Sequence, residues 1–438
     1  MKSLLIRNGR LIDPSQNLDK IGDLFISEGK IYGVEDAAPP PDLQVLTAEG
    51  LIVCPGFIDF HCHLRQPGDE AKETIATGTR AAARGGFTTV CCMPNTNPPL
   101  DNPQVIDYIL REAAREAVVR VLPIGSISRG RQGKELTDMG KLAAAGAVAF
   151  SDDGTPVSSS PLMYQALDCS RTVGLPIIDH CEDITLSQGG QIHEGRVSLE
   201  LGLQGIPSAA EENMVARNLA LARQLSGSHL HIAHVSTEGS VELIRRAREK
   251  GVSVTAEVTP HHLTLTDEAA RGYNTDAKVS PPLRTARDNQ ALIRGLREGV
   301  IDFIVTDHAP HAEADKRCAF NLAASGISNF ETALGSLMGL VHEGQLTLNM
   351  LIARLTADPA KILRHEKLGT LQRGAPGDIT IFDPAKEWPV DTGNFASKGK
   401  NTPLAGTVLK GKVMATIYGG KLVYQDGAIK LTAFQGNR

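Results

Sequence analysis

No run of about 18 apolar residues occurs in this chain of 438, so none of its helices is expected to span a bilayer. Met1 to Arg7 and the residues that follow carry no apolar core long enough for a secretory signal. The seven cysteines, Cys54, Cys62, Cys91, Cys92, Cys169, Cys181 and Cys318, are odd in number and never spaced Cys-x-x-Cys. That argues against a disulfide framework or a cysteine-rich zinc site and for reduced thiols. With no targeting or membrane signal, the expected compartment is the cytoplasm. A basic excess is also missing: Lys and Arg total 45 against 50 Asp and Glu, a net charge of -5, which leaves no footprint for nucleic acid. Gly-x-Ser-x-Gly does not occur, removing the common serine-hydrolase arrangement. Gly85-Gly86 and Gly189-Gly190 precede no phosphate-binding helix pattern, which argues against a nucleotide site. There is no fixed-period repeat and no long low-complexity segment.

What is present is ordinary in bulk and informative in order. Hydrophobic residues make up 41% and charged residues 22%, as in a globular protein. A single α/β barrel takes roughly 250 residues, so the length suggests one barrel plus a second module. Both ends read as short strands broken by turns. At the start these are Ser3–Arg7, Leu24–Ser27 and Ile31–Val34; near the end, Asp378–Phe382, Ala405–Leu409, Lys412–Tyr418 and Lys421–Tyr424, with turns at Lys410-Gly411 and Gly419-Gly420. The simplest arrangement is one small sheet domain from both termini, with two separate sheets as the alternative. Ala37 to Asp42 reads as a turn or linker.

The middle alternates short apolar runs with helical stretches, the order that builds a parallel sheet. Eight strands are expected: Phe57–His61, Thr88–Met93, Val119–Ile124, Val148–Ser151, Pro176–His180, His229–Val235, Ser253–Val258 and Ile301–Thr306. Helices are expected between them, among them Lys72–Arg84, Pro103–Glu116, Pro161–Val173, Ala209–Leu225, Ser240–Lys250 and Arg287–Glu298. The predicted fold is a (β/α)8 TIM-like barrel over 55–366, with a small β-sandwich domain formed by 1–54 and 367–438.

Metal-type residues fall at the ends of these strands. His61 and His63 close the first strand, Asp152-Asp153 the fourth, His180 the fifth, His234 the sixth and Asp307 the eighth. Alternation with period 2 turns His61 and His63 one way and Cys62 the other. Barrel active sites sit at the C-terminal strand ends, so five strands deliver imidazole or carboxylate to one mouth. That mixture suits zinc, manganese, cobalt or iron better than magnesium or calcium. Four histidines and two aspartates exceed the needs of one tetrahedral ion and match a pair about 3.5–4 Å apart.

The segments Pro55-Gly56-Phe57-Ile58-Asp59-Phe60-His61-Cys62-His63-Leu64-Arg65, Met93-Pro94-Asn95-Thr96 and Phe150-Ser151-Asp152-Asp153-Gly154 make the pattern specific. With His234-Val235-Ser236-Thr237 and Thr306-Asp307-His308-Ala309-Pro310-His311, the chain resembles the type I dihydroorotases of the amidohydrolase superfamily over nearly its whole length. The resemblance implies two zinc ions, one held by His61, His63 and Asp307 and the other by His180 and His234, bridged by Asp153 and a hydroxide. It makes Asp307 the catalytic proton shuttle, and Arg65, Asn95 and His311 the substrate contacts. The substrate pair would be N-carbamoyl-L-aspartate and L-dihydroorotate. A homodimer and a complex with aspartate carbamoyltransferase are the assemblies it admits. Two places depart from the pattern. Ser280 stands before Pro281-Pro282-Leu283-Arg284 where relatives often carry Asn, and Ala312 to Ser325 matches poorly, consistent with a mobile loop over the mouth.

Less specific readings apply to the remaining candidates. Asp152 and Asp153 face opposite ways, and the family pattern selects the second, leaving Asp152 as a supporting group. His229 and His231 read as structural, His308, Glu182 and Asp183 as neighbours of ligands, Cys91-Cys92 as packing, and His261 more as structural than functional. His193, His342 and His365 carry no usable signal. Hydantoinases, dihydropyrimidinases and allantoinases are the nearest alternative, but they typically bridge their metals with a carboxylated lysine on strand four, and Gly146 to Asp153 contains no lysine. A non-catalytic subunit supporting aspartate carbamoyltransferase is the alternative from another class; it would be expected to have lost ligands that this chain retains.

Overall fold

The computed structural model describes residues 3–33, 43–426 and 431–433. The expected linker at Ala37 to Asp42 lies outside them. Eight short parallel strands build the barrel: Phe57–Cys62, Phe87–Cys92, Arg120–Pro123, Phe150–Ser151, Ile177–Asp179, Leu230–Ile232, Val254–Val258 and Phe303–Ile304. The first three pair in sequence, as do the last five. Backbone bonds from Gly125 N to Ala149 O and Ser151 N to Gly125 O, both 2.9 Å, join strands three and four. Those from Asp307 N to His61 O (3.0 Å) and His63 N to His308 O (2.9 Å) close the ring between strands one and eight. The closing bonds therefore run through the residues flagged as metal ligands.

The helices start where the sequence supplies caps. Asn102 accepts from the backbone of Gln104 and Val105 ahead of Pro103–Glu116, with proline at the first helical position. Thr237 caps Glu238–Glu249 three residues after His234, and Thr285 forms a capping box with Asp288 at Ala286–Glu298. These caps end the strand-to-helix loops at the mouth of the barrel and limit how far the loops can shift.

Both ends of the chain enter one sheet of nine strands. Leu4–Asp13 pairs along one edge with Leu18–Ser27. On its other edge it pairs with Gln44–Thr47 and then with Ile52–Pro55. The second wing continues through Ile379–Pro389, Val408–Tyr418 and Lys421–Gln425. Leu4, Ile6, Leu24, Leu46, Ile379 and Ile417 lie in the apolar core between the wings, which gives the sandwich.

The expected turn at Lys410-Gly411 is corrected: Val408–Tyr418 runs through it as one strand. Gly411 has φ +105°, and a Cβ there would meet Met338, so the glycine serves the close approach of helix Ala333–His342 rather than a reversal of the chain. Gly56 marks the passage from sandwich to barrel, where an added Cβ would fall within the Thr88 side chain. Gly56→Ala is therefore expected to destabilise the protein by about 1–3 kcal/mol. An unchanged denaturation midpoint would show that the Gly56–Thr88 contact relaxes freely.

Candidate metal centre

Strand one does not alternate strictly. Its pairing with strand two gains one residue between Asp59 and Cys62, a β-bulge. Phe60 and His61 can therefore both face the barrel interior. Phe60 meets His231 and Phe303 edge-on, at 5.5 and 5.7 Å between ring centroids, while His61 Nδ1 lies 2.6 Å from Glu257 Oε1. Asp59 bonds instead to the backbone and hydroxyl of Thr306, at 2.8 and 2.6 Å, on the strand that ends at Asp307.

Four imidazoles converge on Asp153. Its carboxylate lies 3.4 Å from His61 Nε2, 3.6 Å from His63 Nε2, 3.6 Å from His180 Nδ1 and 3.5 Å from His234 Nε2. Two groups of possible metal ligands share it: His61, His63 and Asp153, and Asp153, His180 and His234. Asp307 stands beside the first, 3.0 Å from His63 Nε2 and 3.7 Å from His61 Nε2. All six side chains are buried. Asp152 turns the other way and accepts from Ile127 N at 2.9 Å and from the Ser128 backbone and hydroxyl, so it braces the loop after strand three.

The donors fit metal ions. His61 Nε2 and Asp153 Oδ1 are buried and have no hydrogen-bond partner. Three of the four histidines also have an acceptor behind them. Nδ1 of His61 faces Glu257, Nδ1 of His63 lies 2.9 Å from Asn95 Oδ1, and Nε2 of His180 lies 3.0 Å from Glu182 Oε2. Each acceptor draws the ring hydrogen away from the cluster and leaves the inward nitrogen available. Burial pushes the Asp153 and Asp307 carboxyls up, but the facing imidazoles outweigh it and hold both below the usual carboxylate range. Burial likewise opposes charge on His180, yet Asp153 and Glu182 lift it to about 10. The site calls for positive charge to balance its carboxylates.

A cavity of about 310 Å³ opens above the cluster, and Arg65, Asn95, Ser280 and His311 line it with the ligands. Asn95 has committed its carbonyl to His63, which leaves its amide hydrogens for the cavity. Arg65 Nε donates to Pro310 O at 3.2 Å. His311 Nε2 donates to Ser325 O at 2.9 Å, and its buried Nδ1 makes no hydrogen bond, with Asp315 Oδ2 3.7 Å away; burial and nearby Arg65 push its pKa down to about 2, so the ring is neutral at neutral pH. Arg65, His234 and Asp307 all have left-handed backbone, with φ of 61°, 30° and 44°, a costly conformation for side-chain-bearing residues that clusters at functional sites.

Ser280, where the chain departs from the family pattern, lines the cavity. Glu257 was missed altogether, although a glutamate within the apolar strand Val254–Val258 is itself a signal. The 312–325 stretch contains helix Glu313–Lys316 and is pinned by Lys316, whose buried Nζ donates to Thr275 O (3.0 Å), Lys278 O (3.2 Å) and Ala324 O (2.7 Å). His261 is buried, with Nδ1 held by Asn329 at 2.8 Å, outside both ligand groups. No helix among the described residues is long and apolar enough to cross a membrane.

Residues 50–240 match the dihydro-orotase-like family. The chain is 52% identical over 425 residues to the dihydroorotase of Syntrophus aciditrophicus (strain SB), covering 97% of this chain and 99% of that one. It is 53% identical over 428 residues to the dihydroorotase of Pelotomaculum thermopropionicum, covering 98% and 100%. Among solved structures, an L-hydantoinase (dihydropyrimidinase) from Arthrobacter aurescens aligns with a TM-score of 0.87 and 26% identity, over 100% of this chain and 99% of that chain. Shared identity of this extent from end to end, on a barrel whose strand ends gather these ligands, means that the chain belongs to the dihydroorotase family of cyclic amidohydrolases.

Proposed function

We propose that this protein catalyses the reversible cyclisation of N-carbamoyl-L-aspartate to L-dihydroorotate and water, the third step of de novo pyrimidine synthesis. The observation that carries the reading is Asp153, one carboxylate within 3.6 Å of four imidazole nitrogens, beside a cavity walled by a half-buried arginine. His61, His63 and Asp307 would hold one zinc ion and His180 and His234 a second, with Asp153 shared between them. When bound, such a pair lowers the pKa of water and polarises a carbonyl. Free cysteines throughout the described residues accord with a reducing compartment, the cytoplasm.

The chain's own residues then divide the work. In ring opening, Asp307 takes the proton from the attacking water and gives it to the amide nitrogen as the ring C–N bond breaks. In ring closure, it takes the carbamoyl N–H proton as nitrogen attacks the side-chain carboxylate carbon and returns it to the departing oxygen, which takes a second proton from solvent and leaves as water. Arg65 and the Asn95 amide grip the carboxylate that does not react, and His311 supplies a neutral polar contact beside them. Arg65→Met is expected to raise KM about 10–100-fold, the equivalent of a lost charge-assisted contact, and to erase preference for a carboxylated ring. Unchanged selectivity for dihydroorotate over dihydrouracil would remove Arg65 from that role.

The test is turnover of L-dihydroorotate by the purified protein, with and without prior chelation, beside hydantoin, dihydrouracil and allantoin, together with elemental analysis. Chelator-sensitive hydrolysis of dihydroorotate alone, with close to two zinc per chain, is the expected result. Activity confined to the uncharged rings would move the chain to the hydantoinase-type reading. Absence of both metal and activity would move it to the non-catalytic partner class.

A further inference from the structure

Glu257 begins a line of side chains that leads away from the catalytic mouth through the barrel interior. Its Oε1 lies 2.6 Å from His61 Nδ1 and its Oε2 3.0 Å from His231 Nε2. His231 Nδ1 lies 2.8 Å from Thr255 Oγ1, which is also 2.8 Å from His229 Nε2. Glu257 and Thr255 are two apart on strand seven, and His231 and His229 two apart beside strand six, so each pair shares a face. Phe303 stacks on the His231 ring at 5.3 Å and Phe60 meets it edge-on, which keeps the line's upper part in an apolar sleeve. His61, Glu257 and His231 are fully buried, while Thr255 and His229 are half-buried at the lower end.

Hydrogen-bond chemistry gives the line a direction. An ionised carboxylate only accepts, so His61 Nδ1 and His231 Nε2 must both donate to Glu257. With one ring hydrogen on His231, its Nδ1 accepts from the Thr255 hydroxyl, whose oxygen in turn accepts from His229 Nε2–H. All four donors then point towards Glu257. Neither Thr255 nor His229 touches the metal ligands or the cavity lining.

We propose that Glu257, His231, Thr255 and His229 act together as a positioning chain that fixes the His61 ring, keeps its hydrogen on Nδ1 and so sets the affinity of the first metal position. The proposal rests on the metal reading above, and it reaches beyond the residue next to the ligand, because bonds in a series polarise one another. The chain thus extends the control of His61 from the mouth to the half-buried lower end of strand six.

The experiment uses the full-length protein, wild type and the variants Glu257→Gln, Thr255→Val and Thr255→Ser. Zinc affinity is measured by competition with a chromophoric chelator, and the His61 Nδ1–H resonance is followed in the metal-free protein carrying 15N-labelled histidine. Glu257→Gln is expected to weaken zinc binding about 10–100-fold. Thr255→Val, which keeps the shape and removes the hydroxyl, is expected to weaken it by less and to shift the His61 Nδ1–H signal upfield, while Thr255→Ser restores both. Wild-type affinity and an unmoved signal in Thr255→Val would overturn the chain, leaving only a Glu257–His61 pair. Should Thr255→Val fail to fold, failure of the folded Glu257→Gln protein to move either readout would overturn it as well. If the wild-type protein takes up no zinc, the metal reading fails, and the resonance in metal-free protein still decides whether the chain orients His61.

Discussion

Asp307→Asn is expected to keep the fold and much of the metal while losing about 10²–10⁴-fold in turnover in both directions, the usual contribution of a positioned acid–base group. Asparagine is nearly the same size and can still offer an oxygen to an ion, but it cannot take up and return a proton. The position is well fixed for such a role. Asp307 N donates to His61 O at 3.0 Å, and the residues on either side are tied to Asp59 and Asn329. Placing this carboxylate against His63 therefore depends on backbone bonds that the substitution leaves intact. Turnover of both substrates is measured together with metal content. A near-normal rate with metal bound would show that the proton is carried elsewhere.

Asp153→Asn should act on the metals themselves. Asp153 belongs to both ligand groups, and removing one charge from a buried ionic cluster costs roughly 3–5 kcal/mol. That corresponds to about 10²–10³-fold or more in affinity, so the substituted protein should emerge from purification with at most one ion and no measurable turnover. Asp152→Asn is the matched control. Asp152 binds the Ile127–Ser128 backbone, so its loss is expected to lower the unfolding midpoint while metal stoichiometry stays at two. Two tightly held ions in Asp153→Asn would mean that Asp153 does not link the positions.

Much of this site's layout is legible without coordinates, because side chains at strand ends follow from the βα rhythm. The eight barrel strands and the six named helices fall where the alternation of apolar runs and helical stretches places them, with boundaries moved by a few residues. The losses have physical causes. A glycine signals backbone freedom but not its use, and Gly411 supports close packing of a helix where sequence suggested a turn. Period-2 alternation separates His61 from Cys62 but cannot foresee the bulge that lets Phe60 join His61 on the inner face. Glu257 escaped because it sits on a strand with no ligand of its own; its importance lies in what it meets across the barrel. The pinning of 312–325 by Lys316 depends on two carbonyls about forty residues away, Thr275 and Lys278, which no local pattern encodes.

The single sheet built from both ends has a consequence for synthesis. The Cys54 thiol meets Thr380 O across a separation of 326 residues, where Ile52–Pro55 pairs with Ile379–Pro389. At roughly 5–20 residues per second, a ribosome needs about 16–65 s to cover that distance. For that interval one edge of Ile52–Pro55 has no native partner, although the barrel strands that follow it are already emerging. The nascent chain must shield an open strand edge until Ile379–Pro389 arrives. A stalled or prematurely ended message therefore leaves a barrel joined to an adhesive half-sheet, which makes truncated products of this chain natural clients for chaperones and proteases.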